Sequence, residues 1–139
     1  MNISVIIPAK DEQESISELS QWISRVMQEH GFSYEVIFID DGSIDQTWEE
    51  IQHMNLINPA IKGIKFNRNF GKSAALHTGF KLAQGDVVIT MDADLQDSPD
   101  EIPGLYRLIK TEGYQLVSGW KKKRHDPISK TIPSRFFNY

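Results

Sequence analysis

The sequence predicts an α/β fold built on a mainly parallel open sheet with helices on both faces, and three observations predict it. Short apolar runs rich in β-branched residues alternate with segments of helical period. The intervening segments are long enough for crossover connections, which are right-handed and pair their strands in parallel. Acidic or glycine-containing clusters follow the runs, at the carboxyl ends where open α/β sheets bind their ligands.

The first strand is expected over Ile3 to Ile7, followed by a helix whose Ile16, Leu19, Ile23, Val26 and Met27 recur at three- and four-residue steps. The second strand covers Tyr34 to Ile39, and a weaker helix from about Gln46 to Met54 turns Trp48 and Ile51 inward. A third strand, Ile61 to Phe66, precedes a helix that starts near Gly71 and carries Ala74, Ala75, Thr78 and Leu82. The fourth, Asp86 to Met91, leads to the clearest helix start. Ser98 is its N-cap, Pro99 its first helical position and Glu101 the partner for a capping box, ahead of Ile102, Leu105, Tyr106 and Ile109. Gln115 to Ser118 is the fifth strand. Pro133 to Tyr139 reads as the opening of another amphipathic helix, so a piece of a longer protein is expected.

The 139 residues are 40% apolar and 24% charged, with no cysteine and a net charge of −4. A chain of this length buries roughly two-thirds of its unfolded surface as one domain. The lack of cysteine excludes a disulfide scaffold, a thiolate metal site and thiol catalysis. Apolar runs as short as Val5-Ile6-Ile7 and Val36-Ile37-Phe38-Ile39 cannot cross a bilayer, and no basic leader opens the chain, so a cytoplasmic protein is expected. Charge is unevenly spread. Residues 120–139 carry six basic side chains against Asp126, whereas residues 1–119 hold nine basic and eighteen acidic. That division suggests cation contacts on a body over 1–119 and phosphate or anionic-surface contacts on 120–139. A solvated basic loop has the same composition.

Asp92 and Asp94 form the most informative pair. At a strand end, residues i and i+2 point the same way, so two hard carboxylates converge on a point that suits Mg²⁺ or Mn²⁺. Gln96 adds a neutral oxygen one step further on. A solvated Asp-x-Asp loop leading to the Ser98 cap shows the same pattern. Asp40 and Asp41 end the second strand before Gly42, in the place where acidic residues accept hydrogen bonds from a ribose or base. One of the two is expected to serve a ligand and the other the loop, with Ser43 or Asp45 capping the next helix. Asp11 and Glu12 follow Pro8, whose fixed backbone offers neighbouring polar groups to a flat ring, although Asp11 with Glu14 also fits a capping box. Gly71-Lys72-Ser73 suggests a phosphate loop, but the glycine needed five positions earlier is Phe66, which rejects it. Gly71 can still bring a phosphate to a helix N-terminus, with Arg68 or Lys72 adding charge, although ordinary turn chemistry is the favoured explanation. His77 reads as packed or surface, and His30, His53 and His125 lack partner spacing. Trp22 and Trp48 read as core or helix-face aromatics, so no nucleic acid is expected as a partner.

Taken together, Val5-Ile6-Ile7-Pro8-Ala9-Lys10-Asp11-Glu12, Ile39-Asp40-Asp41-Gly42-Ser43, Asn69-Phe70-Gly71-Lys72 and Met91-Asp92-Ala93-Asp94-Leu95-Gln96 resemble the family 2 glycosyltransferases of the Rossmann-like GT-A fold. Within that family the chain is most similar to the dolichyl-phosphate mannose synthase and bactoprenol glucosyltransferase branch. The resemblance implies a metal-dependent, inverting transfer of a sugar from a UDP- or GDP-linked donor to a polyprenyl phosphate. It assigns Asp92, Asp94 and Gln96 to the metal, with Asp92 and Asp94 as the catalytic carboxylates. Pro8, Ala9, Glu12 and Asp40 line the nucleoside pocket, and Asp41 and Ala93 belong to the same donor site. Asp11 stands where the family usually has asparagine. Ser118 to Arg124, with Lys121 and Arg124, and then Lys130, Ser134 and Arg135 match the basic acceptor segment that meets the lipid phosphate and the membrane face. The competing expectations are transfer to a saccharide hydroxyl, which requires a general base, and a non-catalytic nucleotide-binding piece. A phosphoacceptor receiver is disfavoured because its acid pair belongs after the first strand, where Lys10 intervenes. Apolar surface on an unfinished acceptor half would favour an oligomer.

Overall fold

A computed structural model describes residues 1–112, 116–117 and 136–138. The elements in order are β1 (Ile3–Ala9), α1 (Ile16–Glu29), β2 (Tyr34–Asp40), α2 (Thr47–Ile57), β3 (Ile61–Lys65), α3 (Lys72–Leu82), β4 (Val87–Thr90), α4 (Ile102–Glu112), β5 (Leu116–Val117) and β6 (Phe136–Asn138). A single 3-10 turn over Pro99–Glu101 leads into α4, and the Ser98 hydroxyl accepts from the Asp100 amide as the expected cap. The sheet order is β3-β2-β1-β4-β6-β5. β1 lies parallel to β2 and β4, and β2 parallel to β3.

β6 is antiparallel to both of its neighbours, so β5 runs in the same direction as β1 to β4. Here the structure corrects one expectation: Phe136–Asn138 is a strand against Val87–Ile89, where the sequence suggests a helix opening. A helix would leave the amides and carbonyls along that side of β4 without a ladder, and two adjacent phenylalanines favour strand. Val117 and Ile89 both pair with Phe136, so the chain leaves β5 and re-enters β6 at the carboxyl end of β4. The intervening residues, including the division at 119/120 and the acceptor candidates Lys121, Arg124, Lys130, Ser134 and Arg135, lie outside the described residues.

Two unequal layers cover the sheet. Ile3, Val5, Ile7 and Ala9 of β1 pack with the apolar faces of α1, α2 and α4, whereas Ile6 joins Ile37, Ile39, Ala75 and Val88 beneath α3. Period-two alternation along β1 thus feeds both layers. All five apolar positions predicted for α1 are buried, and each fully buried aliphatic side chain contributes roughly 1.5–3 kcal/mol. α3 departs from its predicted face, because Leu82 is 45% exposed. Gly79 and Ala75 are the residues that seat it. A Cβ on Gly79 would lie 2.4 Å from Cγ2 of Ile6, so the helix approaches the sheet more closely than any side chain there permits.

Sequence reasoning misses one buried polar knot at the opposite end of the sheet. Glu35 on β2 is 1% exposed, accepting from Lys62 at 2.8 Å, the Ser4 hydroxyl at 2.6 Å and the Gln84 amide at 2.7 Å. The Gly85 amide completes the knot by donating to Ser4 at 2.8 Å. Burial by itself raises the Glu35 pKa, but the bonds from Lys62, Ser4 and Gln84 outweigh it and hold the carboxyl below its ordinary value.

Candidate functional site

Each loop at the carboxyl end of the sheet is fastened to its neighbour. Past β1, Asp11 adopts φ +55°, and its Oδ1 accepts from the amides of Ile44 at 2.9 Å and Asp45 at 3.4 Å. The Asp11 amide returns a bond to the Ser43 hydroxyl, and the Glu12 amide donates to Thr47. The capping box expected from Asp11 and Glu14 is therefore not formed. α1 instead begins after Ser15, whose hydroxyl donates to the Ala93 carbonyl at 2.6 Å and ties the helix start to the turn after β4.

Past β2 both aspartates bond loop amides, Asp41 to the entry of α3 and Asp40 to its own turn. Asp41 accepts from the Phe70 amide at 2.8 Å and the Gly71 amide at 3.1 Å, so it occupies the entry to α3 that a phosphate would use. Gly42 makes this possible: with φ +76°, it leaves no room for a Cβ, which would meet Arg68 and Asn69 backbone at 2.5 Å. Asp40 is fully buried. Its Oδ1 accepts from the Ser43 amide at 3.0 Å, and its Oδ2 has no hydrogen-bond partner among the described residues. Asp45 accepts from the amide and hydroxyl of Thr47, the first residue of α2, but the N-cap position is Gln46, so neither Ser43 nor Asp45 is the cap the sequence suggests.

Past β4 the chain turns through Leu95 at φ +66°, a left-handed conformation that costs a branched side chain on the order of 1 kcal/mol or more. The Asp92 amide is held by Asp97 at 2.9 Å, and the Gln96 amide by Asp94 at 3.2 Å. Asp92 Oδ1 receives the ammonium of Lys72 at 2.8 Å. From the sequence, Lys72 is only added charge for a phosphate.

These loops enclose a cleft of about 390 Å³. Pro8, Ala9, Glu12, Asp41, Asp92, Ala93, Asp94 and Gln96 of the predicted set all line it, joined by Lys10 and Lys72. Asp11 lies instead in an adjoining hollow with Glu12, Asp45 and Asp94. Asp40 sits opposite Ala9 in the ladder and does not line the cleft. Burial foremost, and then the nearby carboxylates of Asp94, Asp45 and Asp11, raise the Glu12 pKa against the lowering effect of its Ser15 bond. Among the described residues no three His, Asp or Glu side chains gather as a self-sufficient metal cage. Two carboxylates and an amide would suit a hard divalent cation if a ligand supplied its remaining oxygens, and the ammonium on Asp92 shows that the site attracts positive charge.

The family model for glycosyl transferase family 2 matches residues 4–137, and the chain belongs to that family. It is 36% identical over 137 residues to the undecaprenyl-phosphate 4-deoxy-4-formamido-L-arabinose transferase of Pseudomonas fluorescens, covering 98% of this chain and 40% of that protein. The chain thus spans less than half the length of the curated relatives it matches. Among solved structures, S. aureus TarS 1-349 superposes with a TM-score of 0.73 at 18% identity, over 99% of this chain and 47% of that one, a likeness of fold. Glucosyl-3-phosphoglycerate synthase from Mycobacterium tuberculosis, solved with Mn²⁺, UDP and phosphoglyceric acid, gives a TM-score of 0.66 at 28% identity over 84% of this chain and 42% of that one. Among the described residues no helix is long and apolar enough to cross a membrane.

Proposed function

We propose that the protein takes part in inverting transfer of a sugar from a UDP- or GDP-linked donor to a polyprenyl phosphate, with Mg²⁺ or Mn²⁺ in the donor site, at the cytoplasmic membrane face. The observation that carries this reading is the strand-end cleft, where residues from three separate loops converge at the place open α/β sheets bind ligands. The relative from P. fluorescens is named for an undecaprenyl-phosphate transferase, and the M. tuberculosis structure holds Mn²⁺ with UDP; both support it.

Pro8, Ala9 and Glu12 form the nucleoside side of the cleft. Asp40 backs them through its ladder partner Ala9, and its buried oxygen without a donor among the described residues costs about 1–3 kcal/mol. Asp11 and Asp41 act one step back, through the loops they fasten. Asp92, Asp94 and Gln96 hold the cation, which when bound supplies Lewis-acid neutralisation of the departing nucleoside diphosphate. A phosphate acceptor is already ionised near neutral pH, so attack requires no strong general base. Its approach to the cleft is supported by the topology, because the basic segment carrying Lys121, Arg124, Lys130, Ser134 and Arg135 departs from β5 and returns to β6 at the cleft end of the sheet.

Calorimetric titration of UDP and GDP, each with Mn²⁺ and with EDTA, tests the donor half. Metal-dependent binding of one nucleotide is expected, and binding of neither overturns the reading. Turnover with a polyprenyl phosphate then separates this acceptor from a saccharide hydroxyl.

A further inference from the structure

Lys72 is the first residue of α3, and the helix start behind it is anchored by the bonds from Phe70 and Gly71 to Asp41. From that fixed base the side chain reaches the turn after β4, where its ammonium lies 2.8 Å from Asp92 Oδ1. The two partners are unequally exposed, at 57% for Lys72 and 16% for Asp92, so the carboxylate is the fixed member and the ammonium the one able to leave. Asp92 is held further by the Asp97 bond to its amide.

We propose that Lys72 is an internal counter-cation which a divalent ion must displace from Asp92, and which thereby couples metal binding to binding of the nucleoside diphosphate. This rests on the donor-site reading above and adds to it. An ammonium and a divalent ion on one carboxylate oxygen repel each other at close range, so the ion arriving alone must break the ion pair. The displaced ammonium stays tethered at the cleft wall. Anionic phosphate oxygens that arrive with the ion give it a new charged partner. Metal alone is therefore opposed and metal with diphosphate favoured, and by linkage each tightens the other by the same factor.

The test is Mn²⁺ binding by the chain, read from the paramagnetic resonance of the free ion, with and without UDP or GDP. Lys72→Met is expected to tighten Mn²⁺ alone about 5-fold, the upper end for a partly exposed pair, and to shrink the factor by which the nucleotide tightens it. Lys72→Gln serves as the second variant, with circular dichroism to verify folding. Lys10→Met removes the same charge from the same cleft and is expected to change that factor less. Unchanged or weaker binding of Mn²⁺ alone in both Lys72 variants overturns the proposal, as does an equal effect from Lys10→Met. Nucleotide-dependent Mn²⁺ binding that ignores Lys72 overturns it while leaving the donor site standing. Absence of Mn²⁺ binding in every variant, with nucleotide or without, overturns both.

Discussion

At the residue scale, the site consists of carboxylates with distinct tasks. Asp11 and Asp41 commit their oxygens to backbone amides of neighbouring loops, and Asp40 retains a buried oxygen without a donor among the described residues. Asp92 and Asp94 line the cleft itself. Asp92→Ala or Asp94→Ala is expected to abolish EDTA-sensitive nucleotide binding by calorimetry while the thermal transition stays near that of the parent. The fold survives because Lys72, already 57% exposed, returns to water when its partner is removed. Binding that persists and still responds to EDTA in both variants would refute the metal assignment. That Asp92, Asp94 and Gln96 share one cleft is legible from their strand-end spacing, whereas a cation role for them rests on the family resemblance. Two contacts are not: Asp11 bridging to Ile44 and Asp45, and Lys72 reaching Asp92 from twenty residues away. Both join one loop to another, and local pattern carries no record of which loops will meet.

At the element scale, the buried face of α1 is readable because its amphipathic stripe is wide and its neighbours are apolar, whereas its start at Ser15 is not. The face of α3 is not, since the closest contact is made by a residue with no side chain, and hydrophobic periodicity is blind to Gly79. Gly79→Val is expected to lower stability by about 2 kcal/mol or more through overpacking against Ile6 and Ile39, visible as a shifted denaturant midpoint. The Glu35 knot is likewise invisible, because a glutamate in a strand run reads as a surface position. Glu35→Gln is expected to cost about 2 kcal/mol at neutral pH, since charged acceptors make the stronger hydrogen bonds. Its sign with pH follows from the lowered pKa: the contribution is complete above the ordinary 4.5 and is lost as pH falls through the folded value. Glu12 runs the other way. Its raised pKa means a penalty above that value which acid relieves, so Glu12→Gln is expected to raise the melting temperature at pH 7 and to do so less at pH 4. Melting curves for both variants at the two pH values check the pair of signs.

At the scale of the whole molecule, an acidic body is joined to a basic end, with 18 acidic side chains over residues 1–119 and six basic ones over 120–139. Replacing Lys121 to Arg124 by glutamine is expected to weaken association with anionic vesicles at low salt, by about 1 kcal/mol for each charge that sits near the surface. Sedimentation with vesicles of graded anionic lipid content measures it, and an unchanged partition coefficient would assign the segment to bulk solvent. The order of strands and helices is legible throughout the parallel part of the sheet. The antiparallel return of β6 is not, because an edge in need of a partner is a property of the assembled sheet and not of the residues that fill it. That return also sets a leash. Eighteen residues, 118–135, separate Val117 from Phe136, and both ends are anchored level with Ile89. An extended chain spans at most about 3.5 Å per residue, so chain length alone keeps every residue between these two anchors within about 35 Å of the end of β4. Lengthening the connection would weaken the closure of β6 onto β4 only slowly, by about 0.6 kcal/mol for each doubling.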